Sequence, residues 1–242
     1  MALTDNLTAY YKLDESSGNA ADSAGSNTGT NTDVTYTAAK INNGGSFNGT
    51  SSLFACGDDA SIQFSSAFTI ATWVNFDALP GTNTDSQFVA KWNASTNQRS
   101  YRWGLQDTAG TTSLRIGVSS AGSATVEAST NYTPATATWI SLICTWAAGA
   151  WVMYVNGASI GSGTTSVTAL FDNTETLKLG KRGDGGLLNG LQDEIGLWSR
   201  AITSDEVTTL YNGGAGLQYP FTPTPFLPIR RFNQAINRAS TY

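Results

Sequence analysis

Apolar and polar residues alternate with period two along much of the chain. Residues 68–76 (FTIATWVNF) place Phe68, Ile70, Val74 and Phe76 on one face of an extended segment. Residues 139–146 (WISLICTW) do the same with Ile140, Leu142, Cys144 and Trp146. Successive side chains of a strand point to opposite faces, so this spacing predicts strands with one face against a core. Residues 151–155 (WVMYV) run into Asn156 and Gly157 and then into a second β run at 158–160. That pair predicts a hairpin, because a type I′ turn needs φ > 0 at both central residues. Further strands are predicted at 7–13, 52–56, 87–91, 101–106, 113–118, 124–128, 176–180 and 190–198, with Gly, Asn, Asp and Ser between them.

One helix is predicted. Thr203 and Glu206 form a capping box, Val207, Leu210 and Tyr211 follow at helical spacing, and Gly213 and Gly214 supply a stop. Four of the six prolines are Pro220, Pro223, Pro225 and Pro228. Proline is stiff and lacks an amide donor, so such a segment does not sit inside a sheet. The folded domain is therefore predicted over 1–219. Residues 220–242 are read as a proline-rich spacer and a basic docking peptide, with a helix-like spacing of Phe232, Ile236 and Ala239.

Composition narrows the function. Only 13% of the 242 residues are charged, and the net charge of -5 conceals an asymmetry. The end of the chain carries Arg230, Arg231 and Arg238 and no acid; setting these aside leaves 10 basic against 18 acidic residues, a body charge of -8. An acidic body repels a phosphate backbone, so nucleic acid is not an expected partner. The chain has no histidine, which removes the commonest general base and the usual zinc ligand. Cys56 and Cys144 lie in apolar runs, and the sequence leaves open whether they are buried thiols or one bridge. No apolar run reaches the ~20 residues of a membrane-spanning helix. The first residues (MALTDN) lack a basic and an apolar stretch, so no signal peptide is expected.

Five segments, in order, resemble one family. Residues 10–18 (YYKLDESSG) with Asp22 and Gly25, residues 45–49 (GSFNG), the strand around Trp73, Tyr154 to Gly157, and residues 190–202 (GLQDEIGLWSRAI) are similar to the laminin-G-like, concanavalin A-like lectin jelly roll. The resemblance covers residues 4–219. It implies an all-β, two-sheet antiparallel sandwich (a jelly roll) of five to seven strands per sheet, closed by one short C-terminal helix; the extended tail that follows has no counterpart in the family. It also implies that the first strand neighbours the Asp193–Trp198 strand. Members of the family are mostly carbohydrate-binding, adhesive or virion-surface modules.

The resemblance further implies a structural calcium ion. Carried over, its ligands are Asp22, the Ser46 carbonyl region and Asp193, with Asn27 as an amide ligand; Asn48 replaces an aspartate common in the family. The alternative is that Asp22 caps a turn and Asp193 pairs with a neighbouring amide. A glycan site needs exposed aromatics and convergent polar groups, and the segment with Trp92, Arg99 and Tyr101 has that composition. Trp73, Trp139, Trp146 and Trp198 are expected in the core. Arg182, Gly183 and Asp184 spell an integrin-type tripeptide but read as a plain turn. Strand alternation is expected to send Asp193 and Glu194 to opposite faces, which no glycosidase carboxylate pair tolerates.

The expectation is thus a non-catalytic binding module. Its first form is a virion decoration or tail-associated subunit, docked on a protein lattice or other subunits through Arg230, Arg231, Phe232, Ile236 and Arg238. The second is a carbohydrate-binding or adhesion module of a secreted protein, and the weakest is a glycoside hydrolase. Glycans and a second copy of the chain are the other expected partners, at a virion surface or outside the cell.

Overall fold

The computed structural model describes residues 1–222, so the docking residues Arg230, Arg231, Phe232, Ile236 and Arg238 lie outside the described residues. Fifteen strands form two antiparallel sheets. The first sheet runs β13 (Ala158–Thr164), β12 (Ala150–Val155), β11 (Trp139–Ala147), β6 (Ala67–Phe76), β15 (Asn189–Trp198), β4 (Asn43–Asn48) and β3 (Thr35–Ala38), with β1 (Leu7–Tyr11) also paired to β15. The second runs β10 (Val126–Asn131), β9 (Thr111–Val118), β8 (Gln98–Thr108), β7 (Asp85–Asn93), β14 (Lys178–Leu179), β5 (Leu53–Ala55) and β2 (Thr30–Thr32). The first sheet thus has eight strands, one more than the resemblance implies, because β1 adds to β15 as a separate partner.

The alternation places the core where expected. Phe68, Ile70, Val74 and Phe76 face inward on β6, and Ile140, Leu142, Cys144 and Trp146 do so on β11. From the second sheet Tyr101, Trp103, Leu105, Leu114, Ile116 and Val118 meet them. Trp139 is only half-buried, since it opens β11 at the sheet end. Cys56 and Cys144 are separate buried thiols, and burial pushes both above the ordinary thiol range.

A second apolar cluster covers the outer face of the first sheet. Helix α1 (Ser204–Tyr211) has the expected capping box and ends at Asn212 in the left-handed region (φ 49), one residue before the glycines. Its Val207 and Leu210 pack on Tyr10, Ala71, Ile143 and Trp198. Arg200 holds the Glu206 carboxylate at 2.6 and 2.8 Å and donates to the carbonyls of Ala2 and Asp5, tying both ends of the domain together. Packing continues past Tyr219: Phe221 is buried, 5.3 Å from Tyr10 and stacked on Trp198 at 6.2 Å.

Candidate functional site

The second sheet has a polar outer face. On β8 and β9 the inward residues alternate with Arg102, Gly104, Gln106, Arg115 and Gly117, which face away from the core. In the sheet, Asp85 of β7 stands opposite Gln106, and Glu127 of β10 opposite Gly117. The two strand-interior glycines have a steric cause. A Cβ on Gly104 would stand 2.3 Å from the Ser86 carbonyl, and one on Gly117 would stand 2.6 Å from Arg102 Nε. Glycine there lets the side chains of Gln87 and Arg102 lie flat across the sheet.

Charges alternate along this face. Arg115 donates to Glu127 (2.5 Å); Glu127 also accepts from Arg102, which donates to Asp85 (3.1 Å); Asp85 also accepts from Arg182, which donates through Nε to Asp184 (2.7 Å). Three guanidinium groups and three carboxylates form one ladder with no net charge. Gln87 adds a third donor to Asp85 at 2.7 Å. Two connected hollows flank the Asp85–Arg182 pair. One, about 480 Å³, extends to Leu79, Pro80 and Asn189; the other, about 240 Å³, extends to Trp92, Gln106 and Thr125. Asn83, Thr84, Asp85 and Arg182 line both. Several polar atoms here are enclosed without a hydrogen-bond partner: Gln87 Oε1, Gln106 Oε1 and the Nε atoms of Arg99, Arg102 and Arg115.

The aromatic residues expected to stack on a sugar do not do so. Tyr101 points into the core with 0% exposure and donates to the Ile62 carbonyl at 2.9 Å, because it belongs to the inward set of β8. Trp92 lies at the wall of the smaller hollow but is only 3% exposed, with the Arg102 guanidinium carbon 5.3 Å over its ring. Its face is therefore already occupied by a cation–π contact. Arg99 also lines that hollow, and its guanidinium donates to the carbonyls of Ala94, Gly122 and Ser123. Arg182 and Asp184 pair with each other across a tight turn, so the integrin-type tripeptide is closed on itself.

The four residues implied for calcium do not make one donor set. Both oxygens of Asp22 are taken by N–H groups: Oδ1 by the amides of Tyr10, Ala24 and Gly25, and Oδ2 by the amide and side chain of Asn27. Asn27 also donates to Ser61 at 3.0 Å. Ser46 sits in the ladder between Thr35 and Leu191. Asp193 accepts from the amides of Ile41 and Glu194, each at 2.8 Å. Calcium wants six to eight converging oxygens, and these carboxylates are spent on backbone donors instead. Among the described residues no three acidic or cysteine side chains cluster as a metal site.

Asp193 and Glu194 share a face after all. Glu194 has φ 51 and the register of β15 shifts between Asp193 and Gly196, so a bulge cancels the alternation. Glu194 accepts from Tyr10 Oη and from Gln218 Nε2 (2.6 Å), and Gln218 also donates to Asp14 at 2.9 Å. Burial, with the neighbouring charge of Glu194, pushes Asp193 up to about 8. Burial also raises Glu194, to about 7, against the pull of the Tyr10 and Gln218 hydrogen bonds. Glu194 holds Gln218 and borders a hollow of only about 20 Å³ beside Tyr10, Trp73 and Leu217, while Asp193 holds the Ile41 amide. A further buried charge, Lys91, fastens the loop ends: Nζ donates to Asp58 (2.5 Å) and to the carbonyls of Asn173 (3.2 Å) and Glu175 (2.5 Å).

Sequence reasoning missed the ladder. Its signal was present as two glycines inside strands, each adjacent to an arginine or glutamine on the polar side of the alternation.

The comparisons agree with this architecture. The family described as the concanavalin A-like lectin/glucanases superfamily matches residues 48–208. No curated protein matches the chain in sequence. Among solved structures, domain 4 of AbnA, a GH43 extracellular arabinanase from Geobacillus stearothermophilus determined with arabinotriose, is 22% identical with a TM-score of 0.65 over 84% of this chain and 97% of that one. The binding domain of Paraclostridial Mosquitocidal Protein 1 is 18% identical with a TM-score of 0.71, over 88% of this chain and 53% of that one. A botulinum neurotoxin type C structure, whose cell entry depends on two ganglioside molecules, is 12% identical with a TM-score of 0.66, over 87% and 51%. The chain thus spans about half the length of the toxin chains and nearly all of the arabinanase domain. At these identities the likeness shows the fold alone. With two thirds of its sequence matching the family and both sheets in place, the chain belongs to the concanavalin A-like lectin/glucanase superfamily.

Proposed function

We propose that the chain is a non-catalytic surface-binding module that binds carbohydrate on the outer face of its second sheet. The observation that carries this reading is the groove across the Asp85–Arg182 pair, walled by charge-paired donors and acceptors and by the polar side chains of Asn83 and Thr84. Sugar hydroxyls each donate and accept, so they suit a wall that alternates fixed donors with fixed acceptors. The arabinotriose complex and the ganglioside-dependent toxin support the reading by the ligands of proteins that share the fold. The groove favours binding over hydrolysis: among the described residues Asp85 is the one acid lining the two hollows, whereas glycoside hydrolysis uses two facing carboxylates. The test is a glycan array probed with the wild-type protein and with Asp85→Asn. Binding to at least one glycan, lost in the variant, is expected; a blank array for the wild type sinks the reading.

A narrower reading places the module on a virion, as a decoration or tail-associated subunit docked through residues 220–242. The packing of Phe221 on Tyr10 and Trp198 favours it, because the described chain ends on the outer face of the first sheet, opposite the groove. A protein held by that side presents its groove outward. No helix among the described residues is long and apolar enough to cross a membrane; the rival is an extracellular module of a larger protein, which needs no docking through residues 220–242. Deleting residues 223–242 separates the two: loss of assembly with retained glycan binding is expected of the docked subunit, whereas normal assembly removes the docking role.

A further inference from the structure

We infer that the groove takes an uncharged oligosaccharide of at least two sugar units, laid across the Asp85–Arg182 pair with one unit in each hollow. The inference rests on the carbohydrate reading above and deepens it.

Two observations set the charge class. First, the ladder Arg115–Glu127–Arg102–Asp85–Arg182–Asp184 balances to zero, and each guanidinium group in it already holds a carboxylate. Arg99, the remaining cation of the wall, is held by backbone carbonyls and by Asn97 Oδ1. An anionic sugar would have to compete with a built-in acid for every arginine in the ladder, and break a pair whose acid would then be stranded. Second, the body of the protein carries a charge of -8, which repels a polyanion before it arrives. A neutral sugar meets neither obstacle. Its hydroxyls can donate to Asp85, the acid that lines both hollows, and accept from Asn83 and Thr84 beside it.

The shape sets the length. The two hollows are open and share only Asn83, Thr84, Asp85 and Arg182. A single ring fills one side and leaves the other hydrated. A chain reaching from the Leu79–Pro80 rim to the Thr125 rim engages both walls, so its second unit adds contacts without a second loss of translational freedom. Thr125 is exposed at the far rim, which makes it a place to block one hollow without disturbing the core.

The experiment is calorimetric titration of the full chain with matched sugars. Arabinotriose, cellotriose and maltotriose serve as neutral probes, with arabinose and glucose as single units; trigalacturonate and 3′-sialyllactose serve as acidic probes. At least one neutral trisaccharide is expected to bind about tenfold or more tighter than its single unit. Its affinity should change less than about twofold on raising salt tenfold, since a neutral ligand has no charge to screen. Thr125→Trp should weaken that trisaccharide about tenfold with an unchanged melting curve. An acidic probe that binds tighter than the neutral ones, with affinity falling steeply in salt, overturns the inference while leaving the carbohydrate reading standing. Equal affinity for single unit and trisaccharide, or a Thr125→Trp variant that binds normally, also overturns it. If no sugar of either class binds, the inference and the reading beneath it fall together.

Discussion

Asp85→Asn is the perturbation that most fully loads the reasoning, because one nearly isosteric change removes the charge at the centre of the ladder. The carboxylate is 12% exposed and accepts from Arg102, Arg182 and Gln87. Hydrogen bonds to a charged group contribute about 1.5–3 kcal/mol each, and stranding one member of a buried pair costs about 3–5 kcal/mol. Two features reduce the cost here. Arg102 keeps Glu127 and Arg182 keeps Asp184, and an asparagine oxygen still accepts one bond. Partial exposure screens the rest. The net loss expected is about 2–3 kcal/mol. For a domain of this size, where urea acts with a slope of about 2–3 kcal/mol per molar, the midpoint should fall by about 1 M at unchanged slope. A double-mutant cycle with Arg182→Gln should return a coupling of about 1–2 kcal/mol. A midpoint shift under about 0.2 M, or a coupling near zero, would show that the ladder is an ordinary solvated surface, and the reasoning would be refuted.

Four further outcomes follow from the packing. Tyr101→Phe should cost about 1–2 kcal/mol through the orphaned Ile62 carbonyl and leave glycan affinity unchanged, as measured by urea melting and titration; lost affinity with intact folding would restore Tyr101 to the site. Phe221→Ala should cost up to about 3 kcal/mol and speed proteolysis around residues 217–222, since the contacts of Phe221 with Tyr10 and Trp198 hold that segment to the sheet; unchanged cleavage would contradict the packing. The raised Asp193 and Glu194 give stability that is complete below the ordinary carboxylate range and is lost as pH rises through about 7 to 8. The protein should therefore be more stable at pH 5.5 than at 8.5, with Glu194 accounting for up to about 2 kcal/mol of that difference, and Glu194→Gln should flatten the profile; a steeper profile in the variant would refute this. Adding a calcium chelator should leave the melting temperature unchanged, because Asp22 and Asp193 are committed to amides; a fall of several degrees would reveal a donor set elsewhere.

Much of the fold was legible because burial imposes period two. The inward sets of β6 and β11 and the Asn156–Gly157 hairpin were readable residue by residue, as was the Thr203–Glu206 cap of α1. β2, β3 and β4 were not, because they are short and carry Thr, Asn and Gly in place of an apolar alternation. In β4 the glycines answer to close neighbours: a Cβ on Gly44 would lie 2.6 Å from Ala39 Cβ. The site was less legible than the fold. Composition drew attention to the aromatics near residue 100, yet parity along β8 had already committed Tyr101 to the core. Alternation also misplaced Glu194, since a single left-handed residue resets the face of everything after it. The charge ladder joins five separate strands and turns, and sequence proximity contains nothing that pairs Asp85 with Arg182.

Chemical-shift mapping of the isotopically labelled domain with a bound neutral trisaccharide examines the groove assignment most directly. Perturbed signals are expected at Asn83, Asp85, Gln106 and Arg182 and at the Arg102 side chain, with β12, β13 and α1 silent. Perturbations confined to the first sheet, or to the loops around Asp58 and Asp59, would contradict it.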